Sequence, residues 1–199
     1  MVGIIDYGVG NLFSLRSSFA AIGVEAFVSG DPAELEKADR LVLPGVGAFG
    51  DAAQKLRDSG LDGFVKEQAA AGKPLMGICL GMQLLFERSY EYGDHEGLGL
   101  LKGQVVGMSG RLPADLKIPH MGWNALQLTK PAKLLTEGSY VYFVHSFYAE
   151  NCEDSLAAVT NYGIPITAAV EKDNIFGCQF HPEKSGNVGL EILKKFCEI

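Results

Sequence analysis

Two rhythms of apolar and polar positions divide the chain. In the first half, the apolar runs Val2–Asp6, Val24–Val28, Arg40–Leu43 and Pro74–Ile78 predict short buried strands. Between them apolar residues recur at helical spacing. Asn11 caps a helix carrying Leu12, Leu15, Phe19 and Ile22, and Gly23 ends it. Asp31-Pro32 opens a short helix with proline in its first turn. One or two helices fill Asp51–Ala71 up to Gly72, and Leu80–Glu87 predicts another. Strand and helix in alternation imply a parallel sheet with right-handed crossovers.

The second half breaks into short strands split by Gly, Pro and Asn turns: Gln104–Gly107, Ala125–Leu128, Tyr140–His145, Leu156–Thr160, Ile166–Val170 and Ile175–Phe180. That pattern predicts mixed or antiparallel sheet, closed by a helix over Val188–Phe196. With no linker, repeat or low-complexity tract, residues 1–199 are expected to form one α/β domain. Its central sheet, mostly parallel or mixed, is flanked by helices.

Composition narrows the function classes. The 47% apolar and 21% charged fractions are those of a globular chain and exclude disorder. Acids outnumber bases, 24 to 17, for a net charge of −7, which argues against nucleic acid or an acidic membrane as partner. No apolar run reaches the length of a membrane span. The start, Met1-Val2-Gly3-Ile4-Ile5-Asp6, reads as strand rather than export signal, so cytoplasmic location and reduced thiols are expected. Cysteines 79, 152, 178 and 197 include no C-x-x-C pair, so no metal site and no cofactor is expected.

Candidate chemistry centres on Gly77-Ile78-Cys79-Leu80-Gly81, placed between an apolar strand and an amphipathic segment. It is a G-x-S-x-G nucleophile elbow with sulfur in place of oxygen. Flanking glycines permit the tight turn, and the positive end of the following helix favours a thiolate. A buried, inert thiol is the competing reading. Among His95, His120, His145 and His181, only His181 ends an apolar strand and opens a polar motif, His181-Pro182-Glu183, whereas His95 lies in a polar turn. In an extended segment, residues two apart share a face. Glu183 is therefore expected to orient the His181 ring while its other nitrogen faces Cys79. Gly45, Val46 and Gly47 follow the third strand of the sheet, where backbone N–H groups turn toward a developing oxyanion. Leu80 N–H is the expected second donor.

Together, Gly77-Ile78-Cys79-Leu80-Gly81-Met82-Gln83, His181-Pro182-Glu183 and Pro44-Gly45-Val46-Gly47 resemble class I (triad-type) glutamine amidotransferase domains over nearly the whole chain. Within that family, Asp6-Tyr7-Gly8-Val9-Gly10-Asn11 and Pro119-His120-Met121-Gly122-Trp123-Asn124 resemble the glutaminase subunits of imidazole glycerol phosphate synthases. The resemblance implies hydrolysis of L-glutamine by Cys79, His181 and Glu183 through a thioester, with Gln83, His145, Ser146 and Phe147 holding the substrate. It also implies a heterodimer with a (β/α)₈-barrel cyclase that receives the ammonia, with Tyr7, Asn11, Met121, Trp123 and Asn124 at the docking face and ammonia entrance. From its strand pattern alone, His145 reads equally well as packing. The glutaminase partner of another synthase, such as that for pyridoxal phosphate, and a stand-alone γ-glutamyl thiol hydrolase are the alternatives.

Overall fold

The computed structural model describes all 199 residues. The first half runs β1 (Val2–Ile5), α1 (Leu12–Ala21), β2 (Ala26–Ser29), α2 (Pro32–Leu35), β3 (Arg40–Leu43), α3 (Phe49–Asp58), α4 (Leu61–Ala70), β4 (Leu75–Ile78) and α5 (Leu80–Leu84). Local chemistry explains the boundaries. The Asn11 side chain accepts from Ser14 N–H at 3.4 Å to open α1, and Asp31 accepts from Ala33 N–H at 2.9 Å to open α2 behind Pro32. Gly60, at φ 71°, divides the expected Asp51–Ala71 region into two helices.

The second half follows as β5 (Phe86–Ser89), β6 (His95–Glu96), β7 (Leu101–Gly107), β8 (His120–Ala125), β9 (Gln127–Leu128), β10 (Tyr140–His145) and β11 (Phe147–Glu150). Then come β12 (Leu156–Tyr162), β13 (Ile164–Lys172), β14 (Ile175–Cys178), a 3₁₀ turn at Pro182–Lys184 and α6 (Gly186–Cys197).

Eight strands form the central sheet in the order β2-β1-β3-β4-β14-β13-β12-β9. Pairing is parallel from β2 through β14 and antiparallel beyond it, the expected mixed sheet. Phe49, Leu56, Leu61 and Val65 of α3 and α4 pack one apolar layer. Leu15 and Phe19 of α1 and Leu193 and Phe196 of α6 pack another. Each fully buried side chain of this size contributes about 1.5–3 kcal/mol. A four-stranded sheet, β11-β7-β5-β6, and the antiparallel β8–β10 pair add to this core. No helix is long and apolar enough to cross a membrane.

Three sequence expectations are corrected. The helix expected over Leu80–Glu87 stops at Leu84, because Phe86–Ser89 pairs with β7. Leu84, Leu85 and Phe86 are all buried, and so short an apolar run carries no periodicity that separates helix from strand. Gly122-Trp123-Asn124, expected to be a loop, lies in strand β8, held by register with β10 in which Trp123 faces Tyr142. His95, expected in a polar turn, lies in β6 and pairs with Ser89 of β5.

The sheet and α5 approach one another closely. A Cβ on Gly81 would lie 1.9 Å from the Leu43 carbonyl oxygen, and one on Gly77 would lie 2.6 Å from Gly81 O. Gly63, inside α4, has nothing within 4 Å of a Cβ. Gly81→Ala is expected to destabilise the chain by at least about 2 kcal/mol through overpacking. Gly63→Ala should stabilise it by about 0.5–1 kcal/mol by restricting the unfolded chain. Urea midpoints at constant slope measure both.

Candidate active site

Cys79 joins β4 to α5 at φ 55° and ψ −112°, a left-handed conformation unusual for a side-chain-bearing residue. Its N–H donates to Cys178 O at 2.7 Å and its carbonyl accepts from Gln83 N–H at 3.2 Å, so neighbours on both sides hold the strained turn. Cys79 is 8% exposed and lines a cavity of about 390 Å³. That is enough for a small polar metabolite.

His181 enters from the end of β14, its N–H donating to Tyr142 O at 3.0 Å. Its Nδ1 meets Glu183 Oε1 at 2.8 Å, in a pair whose side chains are 4% and 2% exposed. The contact is made across the Pro182–Lys184 3₁₀ turn, not along the expected extended segment, because Pro182 opens a helical turn there. Glu183 Oε2 is buried without a partner, which leaves the carboxylate bonded to the imidazole alone. Burial opposes a charge on His181, but its interactions with Cys79 and Glu183 outweigh it and raise its pKa to about 9.

The Pro44–Gly47 loop packs onto the elbow. The Tyr7 hydroxyl donates to Pro44 O at 2.7 Å. A Cβ on Gly45 would meet Gly81 N at 2.7 Å and the Tyr7 hydroxyl at 2.9 Å, so close packing demands glycine here, at negative φ. Val46 and Gly47 N–H groups make no hydrogen bond within the chain. Leu80, first residue of α5, has no carbonyl a turn earlier in its helix. Val46, Gly47, Leu80, Gln83, His145, Ser146 and Phe147 all line the cavity with Cys79 and His181, while Gly45 lies beneath it.

A second histidine system borders the cavity. His145 Nδ1 lies 2.8 Å from Phe147 O, a pure acceptor, so Nδ1 carries the proton and Nε2 accepts. His120 Nδ1, 3.0 Å away, is then the donor, and its Nε2 accepts from Asn124 Nδ2 at 3.0 Å. Burial holds His120 neutral, down at about 4. It does the same for His145, at about 3, where the charges of His120 and His181 add to it against the Phe147 bond.

The five expected docking residues separate. Met121 and Trp123 project outward from β8, 60% and 51% exposed, beside Tyr140 at 60%. Asn124 points inward to His120, Asn11 caps α1, and Tyr7 is buried beneath the Pro44–Gly47 loop. Burial, with the Cys79 charge nearby, pushes the Tyr7 phenol up and keeps it a neutral donor.

Sequence reading missed two buried polar residues here. Glu91 lines the cavity and accepts from Phe49 N–H at 2.8 Å, and burial raises its carboxyl above the usual range against that bond. It sits in a polar loop with no periodic signal. Gln179 Nε2 lies 3.8 Å from Cys79 Sγ. Its signal was present: two residues before His181 in an extended stretch, it shares the histidine's face.

Comparisons with known proteins agree in kind. A family model described as glutamine amidotransferase class-I matches residues 3–199. The imidazole glycerol phosphate synthase subunit HisH of Wolinella succinogenes is 50% identical over 204 aligned residues, covering 100% of both chains. The same-named Bacillus subtilis subunit is 49% identical, covering 100% of this chain and 96% of that one. A solved glutamine amidotransferase superposes with TM-score 0.77 at 20% identity, covering 99% of this chain and 97% of that one. For PurLQS from Thermotoga maritima the TM-score is 0.76 at 21% identity, with the same coverage. At such identities these two structures speak to the fold alone.

The raised His181 value generates a pH prediction. Its folded pKa, about 9, lies above the ordinary 6.5. The imidazolium therefore stabilises the folded chain fully below pH 6.5, and this contribution disappears as pH rises through about 9. Histidine-labelled NMR should place the His181 midpoint near 9 and move it down in both Glu183→Gln and Cys79→Ala. A midpoint that neither substitution moves would refute the coupling.

Proposed function

The chain belongs to the class-I glutamine amidotransferase family, and from that premise we propose that it is the glutaminase subunit of an imidazole glycerol phosphate synthase. It hydrolyses L-glutamine to glutamate and passes the ammonia to a (β/α)₈-barrel cyclase, which makes imidazole glycerol phosphate and aminoimidazole carboxamide ribotide for histidine biosynthesis. The observation that carries this reading is the strained Cys79 elbow, with the buried His181–Glu183 pair opening on the same cavity.

The reaction follows from those positions. Cys79 Sγ adds to the substrate's side-chain amide carbon, and its proton resides on His181. The resulting oxyanion takes N–H bonds from Leu80 and from the Val46 region, whose amides are otherwise unspent. The tetrahedral adduct collapses as His181 gives its proton to the leaving nitrogen, so ammonia departs and a thioester remains. Water, deprotonated by His181, then opens the thioester to glutamate. Glu183 holds the ring in one orientation throughout. Glu91 faces the substrate's α-ammonium, whose positive charge offsets its costly burial.

Ammonia released into water at neutral pH is protonated and no longer nucleophilic, so a dry path to the partner preserves it. The exposed apolar edge formed by Ile118, Met121, Trp123 and Tyr140 is the surface the cyclase covers.

Cys79→Ala and Cys79→Ser are expected to abolish glutamine hydrolysis while keeping wild-type circular dichroism. A glutamine-like chloroketone should label Cys79 alone, and label on Cys152, Cys178 or Cys197 instead would overturn the assignment. Glu183→Gln should retain more turnover than His181→Ala, since an orienting group leaves part of the rate when removed.

Turnover should be near zero for the chain alone and rise with cyclase carrying its ligand, because an oxyanion donor out of place costs on the order of 100–1,000-fold. Full activity of the isolated chain would favour a stand-alone hydrolase.

A further inference from the structure

We propose that Gln179 is a positioning residue for the nucleophile: its carboxamide N–H donates to Cys79 Sγ, and Gln83 and the Phe147 carbonyl fix which way that carboxamide faces. Gln179 is fully buried, yet it is neither part of the Cys-His-Glu set nor a lining residue of the cavity. A buried carboxamide is retained only with its polar atoms partnered. Its partners here are Gln83 at one end and the reacting sulfur, at 3.8 Å, at the other.

The direction of these bonds is forced. Phe147 O can only accept, so the Gln83 atom 3.0 Å from it is nitrogen. The same nitrogen lies 2.9 Å from Gln179, and two donors cannot face one another, so the Gln179 atom there is Oε1. Nε2 of Gln179 is then the atom turned to the sulfur. A flipped carboxamide would set donor against donor at Gln83 and oxygen against a thiolate at Cys79.

The backbone supports the same geometry. Gln179 N–H donates to Ala168 O at 2.9 Å, which holds the residue at the sheet. Phe180 turns to the opposite side, into the apolar layer. Gln179 and His181 therefore approach Cys79 from one strand end, the first as a fixed neutral donor and the second as the proton carrier. A neutral donor orients the sulfur lone pairs and favours negative charge on sulfur without competing for the proton that His181 moves.

This proposal rests on Cys79 as nucleophile, and alkylation separates the two. Iodoacetamide, a small primary amide, reads thiolate reactivity without the glutaminase reaction. Gln179→Met keeps length and burial but removes the donor. Gln179→Glu keeps an acceptor for Gln83 and sets oxygen against the sulfur. Both are expected to slow Cys79 alkylation at pH 7, and kcat for glutamine in the complex with the cyclase, by about 10- to 100-fold. KM should change little, and the pH profile of alkylation should move upward, further in the Glu variant.

A folded variant that alkylates at the wild-type rate overturns the proposal. So does a raised KM with unchanged kcat, which would assign Gln179 to substrate binding. Should both variants fail to fold, NMR of the unsubstituted residue decides. The Gln179 carboxamide proton should follow Cys79 titration in wild type and lose that response in Cys79→Ala, and indifference to Cys79 counts against the bond. A wild-type Cys79 that alkylates no faster than an ordinary free thiol removes the nucleophile itself, and this proposal with it.

Discussion

Cys79 sits at φ 55° and ψ −112°, a conformation that a side-chain-bearing residue keeps only when its surroundings over-determine it. The surroundings do so by proximity. β3, β4 and the first turn of α5 come so near one another that Gly45, Gly77 and Gly81 each lack room for a single carbon. The same closeness delivers the chemistry. It brings the Pro44–Gly47 loop within reach of the α5 N-terminus, so the loop amides and the Leu80 amide border one cavity with the sulfur between them. Relaxing the elbow would separate the sulfur from those amides in one movement.

Around this turn the protein treats its histidines in opposite ways. His181 is buried against a carboxylate and a thiol, and the partners win over desolvation. His120 and His145 are buried against neutral partners, and desolvation wins. Of these three imidazoles, only His181 therefore carries charge at neutral pH. The neutral pair has a directional use. The Phe147 carbonyl accepts from His145 on one side and Gln83 on the other, so both of its lone pairs are spent on keeping the cavity wall in place.

The gathering of Cys79, His181 and Glu183 was legible because each sits where local chemistry is unusual: two glycines around a cysteine, and a histidine-proline-glutamate after an apolar strand. The parallel half of the sheet was legible for the same reason, since fully buried strands read as continuous apolar runs. What escaped depends on partners distant in sequence. β8 and β11 are strands because β10 and β7 pair with them, and Gly122 and Trp123 carry no strand signal alone. Glu91 becomes a site residue only when folding brings it to the start of α3, 42 positions away. Tyr7 was placed at a surface by resemblance, yet its hydroxyl is 2.7 Å from Pro44 O, a contact between loops after β1 and β3. Register and long-range hydrogen bonds, unlike periodicity, are not written in any window of the sequence.

The alternation of β8 joins the outer surface to the site. Successive side chains of a strand point to opposite faces, so Met121 and Trp123 look outward while His120 and Asn124 look inward. The outward face is apolar and uncovered. The inward face begins a set of hydrogen bonds that runs from Asn124 through His120 and His145 to the Phe147 carbonyl, and from there through Gln83 and Gln179 to the Cys79 sulfur. Every donor in that set has its direction fixed by a neighbour that cannot reverse. A partner that seats on Trp123 therefore presses on a strand whose other face is tied, bond by bond, to the Cys79 sulfur. Small shifts of β8 cannot be absorbed by rotating an amide or switching a tautomer. They must either be resisted or be passed to the cavity wall.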